Sequence, residues 1–496
     1  MSPTHDYIID NSTGANVRSD INSVLQAIAT NNSSASTPPT PYASQFYADT
    51  STNTLRIRNT SNNAYINLFS LTGAPAFPLD GTINSVNIGK GANSVAGNTV
   101  LGENALDAAV TGGSNTAIGN NTLTVLTSGN ENTAVGDAAL KDNTTGTHNV
   151  AIGDDALTNN ETASNNTAVG HHVLETNTTG AGNTAIGSAA LDTNSTGSNN
   201  TAVGMLALDA NTTGSKCTAV GFNALATCQS VDGLTAVGSQ ALESNTTGSN
   251  NTALGNSALK TLSTGGSNCA VGVNSSLTMD TGSDNCSMGV NSLRLCEGGS
   301  QNTTIGRDAG ESISTGSFNT CLGFEAGKAL TTGSNNLFLG HDAGTSSAPN
   351  GNHVGASNSI VLGDNSITQA HIKVAFTATS DERDKADITD FTKGLDIVNN
   401  LRPVTYKWDM RSDYSKDLDV TPDGSKKSNI TEIGLIAQEV ELVEKANGYS
   451  SSENDRLFIH KSTDGLHYGL KYSRLVPVLI NAIKELSAKV TALEAK

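Results

Sequence analysis

The chain has 496 residues, of which 36% are hydrophobic and only 4% aromatic, with 50 glycines and a net charge of −18. That bulk is poor for a globular core of this length and ordinary for a fibrous one. The negative charge lies mostly in the first 379 residues and argues against binding to nucleic acid or an anionic membrane. No run reaches the eighteen or so apolar residues of a membrane span, so no membrane insertion is expected. The first residues, Met1-Ser-Pro-Thr-His-Asp-Tyr7, lack the basic and apolar regions of a signal peptide. The expectation is synthesis in a cytoplasm and exit by another route, such as inside a particle released by lysis.

Residues 1–40 hold Val17, Ile21, Val24, Leu25 and Ile28, spaced for a short amphipathic helix, and a polar, proline-stiffened linker over 31–41. Residues 41–80 read as a small β-meander. Its strands are Gln45-Phe-Tyr-Ala48, Thr54-Leu-Arg-Ile-Arg58 and Ala64-Tyr-Ile-Asn-Leu-Phe69, separated by Asp/Asn/Ser/Thr turns. Residues 5–68 resemble the N-terminal region of bacteriophage tail-fibre and tail-spike proteins. The resemblance implies a segment that joins a fibre to phage tail or adaptor proteins. A plain cap for the following repeats is the other reading.

Residues 81–363 are dominated by a seventeen-residue period. It is marked by Gly102, Gly119, Gly136, Gly153 and onward to Gly340 without a slip. The residue before each marker is a large apolar one, such as Ile118, Val135 or Ile152, and a leucine usually follows four residues after. Seventeen residues are too few for two helices, and nothing repeats every 3.6 residues. Each unit is therefore expected to be one coil of a parallel β-solenoid, with coils about 4.8 Å apart and a shaft roughly 70 Å long. One coil buries too little to be stable alone, so coils must share a core. Adjacent strand residues face opposite ways. The expectation puts the Ile/Val inside each chain and the preceding alanines (Ala117, Ala134, Ala151) outside, against two further copies in a homotrimer. The other reading is that alanine fits a cramped corner. The units resemble the coils of trimeric autotransporter adhesin heads, which implies a left-handed β-roll associating in threes, although the period differs.

The six cysteines (Cys217, Cys228, Cys269, Cys286, Cys296, Cys321) replace polar or small residues of the repeat, with no C-x-x-C pair. They are expected to be small buried substitutes, with no metal and no cofactor. The Asn-x-Thr sequons read as turn residues of the repeat. After Gly340 the period stretches to twenty-three residues, inserting 343–356. That insertion is either a ligand-contacting loop or the end of the shaft. Residues 364–379 are expected to hold a last strand, Ile372 to Thr379.

From Ser380 onward lysine and arginine rise and helical periodicity returns. Four motifs follow in order: Ser380-Asp-Glu-Arg-Asp-Lys385, Leu401-Arg-Pro-Val-Thr-Tyr-Lys-Trp408, Ile433-Gly-Leu-Ile-Ala-Gln-Glu-Val-Glu441, and Tyr472 to Leu486. A serine hydroxyl is a weak nucleophile that needs an adjacent base, and lysine serves only when its pKa falls. Ser380 can equally cap a helix, with Asp381 and Glu382 in its first turn. Residues 380–496 resemble the peptidase S74 family, the intramolecular chaperone of phage endosialidases, spikes and fibres. The resemblance implies a domain that trimerises the fibre and then cuts itself off once, with Ser380 as nucleophile, Lys385 as base and Thr379–Ser380 as the bond cut. Val476, Leu479, Ile483, Leu486, Val490 and Leu493 form a heptad seam expected to be a trimeric coiled coil.

Taken together, these readings describe a mainly β homotrimer, a phage tail fibre carried on the virion. It would bind a host surface glycan or outer-membrane component and turn over no external substrate. A tail-spike depolymerase and a bacterial trimeric surface adhesin are the alternatives. No recurring carboxylate pair along the repeat favours the first, and the N-terminus does not favour the second.

Overall fold

The computed structural model describes residues 22, 33–34, 46–61, 63–70, 81–83, 85–349, 351–367, 369–373, 377–415, 420–462 and 467–496. The segment expected to be an amphipathic helix and most of the linker lie outside these residues. The chain divides into two compact units, 1–206 and 207–496.

The first unit begins with an antiparallel meander, Phe46–Asp49, Thr54–Arg58 and Tyr65–Ser70. Alternation works as the sequence demands: Tyr47 is buried and packs on Tyr65 with ring centroids 5.5 Å apart, while Phe46 is exposed. Asp49 closes the first turn by accepting from the Ser51 hydroxyl at 2.6 Å and the Thr52 amide at 3.2 Å. A hairpin, Gly81–Ile83 with Val86–Gly89, then pairs antiparallel with Thr99–Gly102. From there seven parallel strands stack, each three or four residues long, from Thr99–Gly102 to Thr201–Val203. Register is strict: Ala117 faces Ala134, which faces Ala151, each seventeen residues on. The second unit carries nine such strands, Thr218–Val220 to Ile360–Leu362. Both units are parts of a parallel β-solenoid, mainly β as expected.

The marker glycines turn the corner. Gly119 and Gly136 have φ of 134° and 137°, and a Cβ on Gly119 would collide with the Gly136 carbonyl of the next coil. More costly are the leucines four residues later. Leu123, Leu140 and Leu157 are fully buried, yet have φ of 51°, 52° and 55°, in the left-handed region that L residues avoid. Stacking holds them there, since Leu140 N–H donates to the Ala156 carbonyl of the next coil at 3.0 Å.

The facing of the strands is the reverse of the expectation. Ala117, Ala134, Ala151 and their successors are fully buried, whereas Ile152 and Ile186 are 40% exposed and Leu254 is 46% exposed. In a typical coil the lumen holds the leucine that follows the corner, two alanines and two asparagines, and in some coils a second large side chain such as Leu126, Leu262 or Leu330 takes the place of one asparagine. The alanine turns in and the Ile or Val turns out.

The asparagines read as turn residues are also interior. Asn132, Asn149, Asn166 and Asn183 are fully buried and form a ladder. The Asn149 side-chain oxygen accepts the Asn166 amide at 3.0 Å, and Asn166 Nδ2 donates to the Gly180 carbonyl at 2.9 Å. A second ladder links Asn143, Asn160, Asn177 and Asn194. Within each run of asparagines these side-chain amides link a coil to its neighbour and polarise one another; Cys217 and Leu234 interrupt the first ladder, and Cys228 and Leu262 the second. The sequon asparagines Asn143 and Asn177 have no exposed surface.

The twenty-three-residue coil has a packing role. Near its end the inward column carries Phe338, fully buried and followed by Val361 on the last strand, with the ring of His353 5.5 Å from that of Phe338. Gly327 and Gly344 leave it space: a Cβ on either would lie 2.8 or 3.0 Å from the ring. The extra residues make room for this plug at the end of the regular stack. Beyond it, the described residues between 364 and 379 form no strand, contrary to the expectation; 374–376 lie outside the described residues.

The C-terminal region packs helix α1 (Leu395–Val398), the strand pair Val404–Tyr406 and Glu432–Gly434, α2 (Ala437–Ala446), the hairpin Ile459–Lys461 with Tyr468–Leu470, and α3 (Leu475–Glu494). Its core is Ile397, Val440, Phe458, Ile459 and Val478. Helix α3 is tied to α1 by Glu485, which accepts the Leu395 amide at 3.2 Å, and by Asn481, which donates to the Phe391 carbonyl.

Candidate functional site

Ser380 and Lys385 come together. Between them the chain makes a single 3-10 turn, Glu382–Asp384. The residue that caps this turn is Asp381. Its carboxylate accepts the Arg383 amide at 2.9 Å and is gripped by the Arg383 guanidinium at 3.0 and 2.6 Å. That guanidinium, followed by the amide, holds the Asp381 carboxyl below the usual carboxylate range. The Asp384 and Lys385 amides close the turn on the carbonyls of Asp381 and Glu382. Ser380, one residue upstream, is thereby left out of capping, and its hydroxyl stays available.

The turn throws the Lys385 side chain back over Ser380. Lys385 Nζ lies 2.7 Å from Ser380 Oγ and 3.2 Å from the carbonyl oxygen of Ser380. The arrangement sets a hydroxyl within hydrogen-bond reach of an amine that also touches a carbonyl oxygen, the geometry a serine nucleophile and a lysine base would need. As a neutral amine, Lys385 can donate one hydrogen to the Ser380 carbonyl while its lone pair faces the hydroxyl proton. Thr379, Ser380 and Lys385 are all exposed in the single chain. Sequence reading found the pair; it did not find that Asp381 and Arg383 form a clamp that sets the distance.

The seam residues of α3 are also placed. Val476, Leu479, Ile483, Leu486, Val490 and Leu493 are 44–69% exposed, while Val478 and Ala482 on the other side of the helix are buried. The helix thus spends one face on its own domain and leaves the heptad face open. A cluster of His341, Asp342 and Asp364 has ligand atoms within 4.8 Å of one another. An imidazole–carboxylate contact, His341 Nδ1 to Asp364 at 3.1 Å, accounts for it. Of the cysteines, Cys217, Cys228, Cys296 and Cys321 are buried, and burial pushes their thiols up, to about 12 at Cys321.

Residues 380–449 match the family described as chaperone of endosialidase, Peptidase S74, and the match begins on Ser380 itself. The C-terminal region carries a domain of this family, and that domain with the repeat solenoid fits a tail-fibre or tail-spike type of protein. Neither the curated proteins nor the solved structures contain a match to the chain.

Proposed function

We propose that this chain is the subunit of a homotrimeric phage tail fibre. It would be made in the host cytoplasm, attached to the tail through its N-terminal region, and used for adsorption to a host surface glycan or outer-membrane component. Its C-terminal domain brings three chains together and then cuts the Thr379–Ser380 bond once. The observation that carries this reading is the 2.7 Å contact between Lys385 Nζ and Ser380 Oγ, at the first residue of the endosialidase-chaperone match.

In the reaction, Lys385 takes the hydroxyl proton as Ser380 Oγ attacks the carbonyl carbon of Thr379. The Thr379–Ser380 C–N bond breaks, the Ser380 nitrogen takes up the proton, and an ester joins Thr379 to Ser380 Oγ. Water then hydrolyses the ester, giving a Thr379 carboxylate and a free Ser380 amine. No external substrate is consumed. Ser380 and Lys385 stand open to water in one chain, and the assembled domain would cover them and keep water from the pair. Cutting would follow assembly.

Expression of the wild type should give two bands on a denaturing gel and Ser380→Ala one. Lys385→Ala should slow cutting by about 10²–10⁴-fold, the ordinary value of a general base. Two bands from Ser380→Ala would remove Ser380 as the nucleophile.

A further inference from the structure

The outward face of the solenoid strands is unlike the rest of the surface. It consists of two columns. In the first unit they run from Thr99 to Thr201 and from Leu101 to Val203; in the second they run from Thr218 to Ile360 and from Val220 to Leu362. Seven strands in one unit and nine in the other give 32 outward positions, all partly or well exposed. None is charged, although 15% of the chain is, so about five charges would be expected among them. The acidic residues that give the chain its charge lie elsewhere on each coil, for example Asp137 and Asp154 just past the corner. An uncharged, largely β-branched column pair repeated through each unit is not an ordinary solvated surface.

We infer that these two outward columns are the faces along which two further copies of this chain pack. Two observations choose that occupant. The face repeats at the coil spacing, so only a surface with the same spacing matches it along its length, and a second copy has that spacing by identity. The exposed heptad seam of α3 asks for the same partners, and a parallel bundle of α3 helices presents identical columns to one another. The inference rests on the proposed trimer and assigns its contact; it replaces the alanine contact expected from the sequence.

Two native thiols report on it. Cys269 and Cys286 stand in the threonine column, paired in register on adjacent strands and partly exposed, while the other four cysteines are buried in the lumen. The test treats the full-length chain, after maturation, with N-ethylmaleimide under native conditions and locates the label by peptide mass spectrometry. The double variant Leu254→Glu/Ile305→Glu, on the outward column, is compared with Thr247→Glu on another side of the coil. The expected result has three parts. The wild-type shaft sediments as a trimer with Cys269 and Cys286 labelled at least tenfold more slowly than in the double variant. The double variant sediments as a monomer with unchanged β circular dichroism. Thr247→Glu behaves as wild type.

A wild-type trimer whose Cys269 and Cys286 label as fast as an exposed thiol overturns the assignment. So does a double variant that remains a trimer. Should the double variant fail to fold, the wild-type labelling decides alone, against the denatured chain as reference. A wild-type chain that is cut at Thr379–Ser380 but leaves a monomeric shaft overturns this inference and not the cleavage reading. A chain that is neither cut nor trimeric overturns both.

Discussion

Lys216 has φ of 61°, a conformation that costs an L residue about 1–2 kcal/mol. The same column already carries Gly233 one coil after, with φ of 70°. Lys216→Gly should raise stability by about 0.5–1 kcal/mol, the strain relieved less the backbone entropy glycine brings to the unfolded chain. Equilibrium denaturation measures this, and a loss of stability would mean that the turn is not strained there. Asp49 gives a pH dependence. The Ser51 hydroxyl first, and then Thr52, hold its carboxyl at about 2. Its charged form is favoured in the folded state, so its contribution is complete above the unfolded value of about 4 and is lost as pH falls through about 2. The carboxyl resonance of Asp49 should titrate with a midpoint near 2, and a midpoint near 4 would mean that the turn is not formed.

At the scale of the element, the interior asparagine ladder replaces much of the apolar burial a globular core would supply. Asn166→Ala removes two side-chain hydrogen bonds and strands the Asn183 amide, which donates to Asn166 Oδ1 at 2.9 Å. The cost should be about 2–4 kcal/mol, read by denaturation of the full chain; a cost below about 0.5 kcal/mol would show that water reaches the ladder. The turn at the proposed cleavage site follows the same logic of local satisfaction. Asp381→Asn keeps an acceptor for the Arg383 amide and should still cut. Asp381→Ala loses the cap, worth about 1 kcal/mol, and should cut roughly fivefold more slowly. Equal rates for both variants would take Asp381 out of the positioning of Lys385. Much of this was legible in the sequence. The glycine period gave the coil, because it is fixed by covalent distance, whereas the resemblance to the peptidase S74 family singled out Ser380 and Lys385, which their spacing alone left open to a helix cap. The facing of the strands was not legible. Alternation says that Ala117 and Ile118 point opposite ways, but only the packing of the lumen, where Ala117 and Leu123 are both fully buried, says which way is in. The asparagines misled for a similar reason, since a residue type common in turns is also the one whose amide can bridge stacked coils.

For the molecule as a whole, repetition creates a problem of alignment. Chains with a seventeen-residue period can associate one coil out of step while losing only one coil of contacts, and such slipped forms are kinetic traps. A domain that does not repeat, with its own core around Ile397, Val440 and Val478 and an open helical seam, can fix the chain ends before the shaft closes. On the proposed function, its removal afterwards would leave the shaft without the element that aligned it and make reopening slow. Wild type and Ser380→Ala should therefore unfold at different rates once cut and uncut shafts are compared at equal temperature. The most direct measurement is native mass spectrometry of the freshly expressed full-length chain, followed by the same sample under denaturing conditions. The account predicts a trimer of residues 1–379 and, on denaturation, two masses that place the break between Thr379 and Ser380. A single mass for the intact chain, or a break at any other bond, would contradict it.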